Sequence, residues 1–76
     1  MPSDLRQLPK RFGKAVREAR LNAGLSQMAL AESADLTMNY VGEVERGEKL
    51  ASLETIVRLA GALGITGADL LKKAGT

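Results

Sequence analysis

A stripe of polar side chains between positions 39 and 46 is the strongest candidate for a binding surface in this sequence. Its members recur at three- and four-residue steps, which place side chains on one face of an α-helix: Asn39, Gly42, Glu43 and Arg46. An Asn amide can make two hydrogen bonds to adenine, and a Glu carboxylate can accept one from the amino group of cytosine. A Gly in the stripe would allow a backbone to approach closely. The stripe could therefore bind the edges of nucleic-acid bases, and the alternative is an ordinary solvated helix face.

The rest of the sequence contains little evidence for a catalytic site. There is no His and no Cys, and the carboxylates are scattered along the sequence. The hydroxyl groups of Ser26, Ser52 and Thr66 have no neighbouring base and are better interpreted as helix caps. The glycines between positions 61 and 67 mark a helix end and its cap, and they do not form a phosphate-binding loop. We predict a protein that is not an enzyme and that has no catalytic residue, metal, cofactor or small-molecule ligand.

The length and composition indicate one small domain with an aliphatic core. The chain has 76 residues, 45% of them hydrophobic, and Phe12 and Tyr40 are its only aromatic residues. The formal net charge is +2, yet six basic groups fall within the first twenty residues and none within residues 21–45. The basic segment could contact a polyanion, or it could be a solvated surface. No apolar run approaches the roughly 20 residues that span a bilayer, so we expect no membrane association and a cytoplasmic location.

Apolar periodicity and helix caps predict five helices and no strand. The predicted helices span about residues 10–23, 27–34, 38–46 and 53–63, and a last helix follows Thr66. The fourth helix would bury one face, formed by Leu53, Ile56, Val57, Ala60 and Leu63. Residues 1–9 are expected to form an N-terminal arm and residues 10–76 the domain. The predicted fold class is all-α.

The second and third predicted helices are joined by only three residues, Asp35 to Thr37. Two short helices joined in this way form the helix-turn-helix unit, which presents the N-terminal part of its second helix to the major groove of DNA. Met38 stands at that N-terminal end, where its side chain could touch a thymine methyl group. Val41 and Val44 would point inward, so the polar stripe would face the DNA.

Seven short motifs together resemble the Cro/Xre class of phage-repressor-like domains. They are Gly24-Leu25-Ser26-Gln27, Leu30-Ala31, Leu36-Thr37, Tyr40-Val41, Val44-Glu45-Arg46-Gly47, Leu53-x-x-Ile56 and Leu59-Ala60-x-x-Leu63-Gly64. The segment from Tyr40 to Gly47 is also similar to the controller proteins of restriction–modification systems. The resemblance covers about residues 10–73 and implies a five-helix lambda-repressor-like DNA-binding domain with a central helix-turn-helix.

The resemblance also implies a role for particular positions. The residues expected to read bases are Thr37, Met38, Asn39, Gly42 and Glu43, and those expected to contact DNA phosphates are Gln27, Tyr40, Arg46 and Lys49. Arg20 and Glu45 are expected to form a structural ion pair between the first and third helices. Three departures from the class stand out, and the most serious is the absence of Lys and Arg from residues 21–45. Asp35 occupies a turn position where Gly is typical, and Met38 occupies one where polar or basic residues are common.

These features predict a sequence-specific DNA-binding transcriptional regulator that acts as a homodimer on a palindromic operator in double-stranded DNA. The alternative is a protein-binding adaptor or antitoxin-like module with the same fold, which the absence of Lys and Arg from residues 21–45 would suit. One recognition helix reads only a few base pairs, so tight binding calls for two subunits. The predicted dimer interface comprises Ile65, Leu70 and Leu71, and the alternative is that these side chains close the monomer core.

Overall fold

The computed structural model describes residues 5–75, which form five α-helices preceded by a short 3-10 turn. The helices are α1 (Leu8–Asn22), α2 (Gln27–Ala34), α3 (Met38–Glu45), α4 (Leu53–Leu63) and α5 (Gly67–Lys73), and the 3-10 turn spans Leu5–Gln7. No strand occurs within this part of the chain, and none of its helices is long and apolar enough to cross a membrane. The all-α prediction is confirmed, and the predicted bounds of the second and fourth helices coincide with those of α2 and α4.

The helical part of the chain begins before residue 10. α1 starts at Leu8 and has Pro9 in its first turn, where a missing N–H and a fixed φ are tolerated. The turn over Leu5–Gln7 precedes it directly. The predicted arm is therefore wrong for residues 5–9. A Pro usually interrupts a helix, which suggested an arm, but Pro9 lies in the first turn of α1, where Pro is tolerated. Residues 1–4 of the predicted arm lie outside the described residues.

Local capping explains why the helices start where they do. The hydroxyl oxygens of Ser26, Thr37, Ser52 and Thr66 each accept a hydrogen bond from the N–H three residues further on, at 3.0–3.1 Å. Thr66 and Asp69 form a reciprocal capping box, and the hydrogen bond from the Thr66 N–H lowers the pKa of the Asp69 carboxyl. These bonds lie within a single helical turn, so local sequence suffices to define the helix starts.

The core lies where α1 packs against α3, α4 and α5, and where α2 packs against α3 and α4. Its largest fully buried side chains come from all five helices: Phe12, Val16, Leu30, Val41, Val44, Leu59 and Leu70. Leu70 is 0% exposed, so its predicted place in a dimer interface is wrong. The reason is that α5 packs onto both α1 and α4, which encloses this side chain in the monomer core.

α4 buries the predicted face only in part: Ala60 is buried and Ile56 and Leu63 are partly buried against the core, as predicted. Thr55, Leu59 and Ala60 are buried, whereas Leu53 is 76% exposed and Val57 is 61% exposed. The apolar arc of this helix is wider than the surface that its neighbours cover, so periodicity alone does not show which part of the arc faces inward. Leu53 and Val57 consequently leave an apolar strip on the surface of the molecule.

Gly13 determines how closely α1 and α3 approach each other. A Cβ at this position would overlap the backbone carbonyl groups of Val44 and Glu45. Glycine is the residue that permits such a close approach of two backbones. The contact brings the end of α3 against the middle of α1, and Arg20 of α1 meets Glu45 of α3 nearby.

Candidate nucleic-acid interface

The helix-turn-helix is formed by α2, α3 and the three residues between them. Asp35 adopts the left-handed conformation, with φ of 58°, and the N–H of Leu36 donates to the carbonyl oxygen of Ala31 at 2.8 Å. Asp is one of the few residues other than Gly that tolerate this conformation. The Arg58 guanidinium on α4 donates to the backbone oxygen and to the carboxylate of Asp35, both at 3.2 Å. The turn therefore forms without the Gly typical of the class, and it is tied to α4.

The outward face of α3 carries the polar stripe. Its exposed side chains are Thr37, Met38, Asn39 and, in part, Glu43. Gly42 is buried, contrary to the expectation that it would leave room for an approaching backbone. Arg46 occupies that room, since its Nη1 atom lies 3.0 Å from the position that a Cβ on Gly42 would take. The guanidinium of Arg46 is therefore part of the same face.

Glu48, a residue that no sequence pattern singles out, holds the Arg46 guanidinium in place. The Nε and Nη2 atoms of Arg46 donate to the two carboxylate oxygens of Glu48 at 2.8 and 3.2 Å. Gly47, in the left-handed conformation, turns the chain so that the Glu48 N–H donates to the Glu43 carbonyl oxygen at 2.9 Å. The hydrogen bonds between the two side chains raise the pKa of Arg46 and lower that of Glu48. The sequence shows the glycine turn, but not that it brings these two charges together.

A buried ion pair connects α1 with α3. Arg20 donates from Nε and Nη2 to the two Glu45 carboxylate oxygens at 2.7 and 3.0 Å, and from Nη1 to the Leu25 carbonyl oxygen at 2.9 Å. Gln27, at the start of α2, donates from its amide nitrogen to a Glu45 oxygen at 3.0 Å. The Arg20 and Glu45 side chains are only 10% and 2% exposed, and the hydrogen bond to Glu45 raises the pKa of Arg20. The network fixes the position of α3 relative to the first two helices.

The residues predicted to contact phosphates lie on α3 or close to it. Gln27 is partly exposed, Tyr40 is partly buried against the core, and Lys49 is exposed in the loop between α3 and α4. Lys10 of α1 lies against Gly47, because a Cβ on Gly47 would come within 2.7 Å of the Lys10 side chain. The basic start of α1 therefore adjoins the end of α3. The charge pattern marks this segment as basic, but only the packing shows where it lies.

The predicted dimer residues do not form an exposed surface. Leu70 is fully buried, and Ile65 and Leu71 are partly buried against the core. Exposed apolar side chains occur elsewhere, and one group of them lies at the beginning of α4. Leu50, in the loop before this helix, is 60% exposed, and Leu53 starts the exposed strip on the helix itself.

A short helix that packs against two neighbouring helices and turns its polar side outward is the arrangement of a helix-turn-helix DNA-binding protein. The chain belongs to the helix-turn-helix family, whose model matches residues 16–70. The prediction of a DNA-binding regulator that is not an enzyme is confirmed at the level of this family.

Particular members of the family resemble the chain over most of its length. Control protein C.BamHI of Bacillus amyloliquefaciens is 41% identical over 61 residues, which cover 79% of this chain and 75% of that protein. The crystal structure of the restriction–modification controller protein C.AhdI of Aeromonas hydrophila has 45% identity and a TM-score of 0.80, covering 82% of this chain and 94% of that one. The crystal structure of the clp gene regulator ClgR of Corynebacterium glutamicum has a TM-score of 0.86 at 35% identity. The match covers 90% of this chain and 72% of that one. These similarities confirm the resemblance to controller proteins.

Proposed function

We propose that this chain is a sequence-specific transcriptional regulator that binds a palindromic operator as a homodimer. The observation that carries the proposal is the outward polar face of α3, held in place by the buried pair of Arg20 and Glu45. The similarity to control proteins and to a gene regulator supports it. Such a regulator acts in the cytoplasm, the location expected from the sequence.

In this proposal α3 enters the major groove and presents its N-terminal end to the bases. Asn39 makes two hydrogen bonds to an adenine, and Glu43 accepts one from the amino group of a cytosine. Met38 touches a thymine methyl group, and Thr37 lies beside it at the start of the helix. Contacts of this kind discriminate between bases only when the side chains are held in place, which is the contribution of the buried ion pair.

Contacts to the DNA backbone supply affinity that does not depend on sequence. Gln27 lies at the positive end of α2, where the amide N–H that is not bonded to Glu45 and the free helix N–H groups can donate to a phosphate. Tyr40 on α3 and Lys49 in the loop after it would contact further phosphates. Because residues 21–45 contain no Lys or Arg, the positive charge comes from Lys10 and its neighbours on α1, and from Arg46 and Lys49.

We propose that the dimer interface comprises the exposed apolar strip of Leu53 and Val57 on α4 and Leu50 in the loop before it. Burying the roughly two-thirds of these side chains that is exposed, on both subunits, would contribute about 6–12 kcal/mol at ~1.5–3 kcal/mol per fully buried side chain. Association costs an amount of similar size, about 4–15 kcal/mol. We therefore expect a weak dimer that DNA stabilises. Two-fold symmetry would place the two α3 helices about 34 Å apart, in successive major grooves.

Selection of bound sequences from a random pool of duplexes tests this function. The expected result is a palindrome whose half-sites are about one helical turn apart. Affinity for the selected duplex should exceed that for random DNA by roughly a thousandfold or more at physiological salt. A pool in which nothing is enriched would contradict DNA recognition and favour the adaptor or antitoxin-like module.

A further inference from the structure

The pairing of Arg46 with Glu48 leaves one edge of the guanidinium free. A guanidinium carries five N–H groups, and Glu48 accepts from Nε and from Nη2. The remaining N–H groups lie on Nη1 and on the far side of Nη2. This second edge has the fork geometry that binds the O6 and N7 atoms of guanine in the major groove. Arg46 can therefore keep both bonds to Glu48 while it binds a base.

The free edge of Arg46 also lies on the face of α3 that is expected to read bases. Arg46 is four residues after Gly42 and seven after Asn39, so the three share one side of the helix. Helical side chains lean toward the N-terminus, and the Arg46 guanidinium lies over Gly42, with Nη1 3.0 Å from the position of a Cβ there. The missing side chain at Gly42 permits this position. The guanidinium is thus brought toward the end of α3 that would enter the groove.

The fold itself does not explain the pair. The Arg46 and Glu48 side chains are 56% and 54% exposed. Ion pairs this exposed contribute little to stability, because water screens them and two long side chains lose freedom. Substitution of either residue should therefore leave folding nearly unchanged. A role in recognition accounts for a bidentate pair in this position, and it can be tested without loss of the fold.

We propose that Glu48 is a positioning residue that holds Arg46 in the orientation that reads a guanine in the operator. This inference rests on the proposed function, and it gives Arg46 a base contact in place of the phosphate contact expected from the resemblance. Glu48 reduces the entropy that the long Arg side chain would lose on binding, because the fork is oriented before DNA arrives. Its negative charge also disfavours a phosphate beside the same guanidinium.

The test compares the wild-type protein with Arg46→Lys, Glu48→Gln and a matched control, Glu54→Gln. The control removes the same charge from another exposed carboxylate, which pairs with Arg58 on α4 at 2.7 Å. The operator selected by the wild type is varied at each G·C pair, and the affinity for each duplex and for random DNA is measured. Thermal unfolding followed by circular dichroism verifies that every variant is folded.

We expect one G·C position in each half-site at which Arg46→Lys lowers the preference for guanine by about 5- to 150-fold, since the single ammonium of Lys does not reproduce the rigid planar fork of Arg. Glu48→Gln should lower the preference at the same position, while its affinity for random DNA stays the same or rises because a negative charge is removed. Glu54→Gln should leave the preference at that position unchanged. The conservative Arg46→Lys substitution thus separates the fork geometry from charge alone.

Different results overturn different parts of the argument. A wild-type protein that selects no sequence contradicts both the proposed function and the role of Arg46. If the wild type selects an operator and Arg46→Lys keeps every base preference, the guanine contact is wrong while the proposed function stands. If Glu48→Gln changes the affinity for operator and for random DNA by the same factor, and Glu54→Gln does likewise, base preference is unaffected. In that case Glu48 acts only through its charge and does not position Arg46.

Discussion

Replacement of Arg20 by Ala would remove the centre of the network that holds α3. The substitution deletes two hydrogen bonds to Glu45 and one to the Leu25 carbonyl oxygen. Glu45, whose side chain is 2% exposed, would keep the amide of Gln27 as a donor but would lose its cation. A buried carboxylate deprived of its partner typically destabilises a protein by about 3–5 kcal/mol. We expect a loss within this range for Arg20→Ala.

Such a loss is large for a domain of this size. Folded domains are stable by about 0.05–0.15 kcal/mol per residue, which corresponds to roughly 4–11 kcal/mol for 76 residues. Arg20→Ala should therefore lose about a quarter or more of the total. Arg17→Ala is the matched control, because Arg17 is exposed on the same helix. Its effect should stay within about 0.5 kcal/mol, as is usual for surface substitutions.

Urea denaturation followed by circular dichroism measures these effects. Comparison of the wild type with Arg20→Ala, Glu45→Ala and the double variant gives the coupling between the two side chains. We expect the double variant to lose less than the sum of the single losses, by about 0.5–3 kcal/mol. Arg20→Lys should recover part of the stability, since Lys keeps the charge but cannot make the bidentate contact. Strictly additive losses would refute the reasoning, because independent residues do not couple.

Four other outcomes follow from the fold and the proposed interfaces. Gly13→Ala should destabilise the protein by about 1–3 kcal/mol in thermal unfolding, because a Cβ would force α1 away from the α3 carbonyl groups; unchanged stability would show that the helices separate without cost. Asn39→Ala should weaken binding to the selected operator by about 1–3 kcal/mol and leave binding to random DNA unchanged. Equal losses of affinity in titrations with the two DNAs would mean that other residues read the bases. Leu53→Glu should sediment as a folded monomer with weaker operator binding, since it puts a charge into the apolar strip; a dimer that persists in this variant contradicts the interface. Because the Asp69 pKa is depressed in the folded state, the stability from its bond to Thr66 should be complete at neutral pH and be lost as the pH falls through that pKa. Asp69→Asn should remove this part of the acid dependence in urea melts, and an unchanged profile would mean that the capping box does not contribute.

Several features of the protein follow from its sequence alone, because they depend on residues within one or two helical turns of each other. The hydroxyl cap at Thr37 bonds to an N–H three residues away, and the left-handed turn at Asp35 needs only a residue that tolerates it. The bounds of α2 and the outward face of α3 likewise depend only on residues that are close in the sequence. Spacing on a helix thus predicted both the helix-turn-helix and its polar stripe.

The tertiary structure decided which apolar faces are covered and which charges meet. Leu70 is buried because α5 packs between α1 and α4, while Leu53 is exposed because no helix covers that side of α4 within residues 5–75. Periodicity shows that a helix has an apolar face, but it does not show how much of that face its neighbours will cover. The contact at Gly13 and the bond from Arg58 to Asp35 have the same origin. Both depend on how separate stretches of backbone are placed in space, and no local pattern of residue types contains that information.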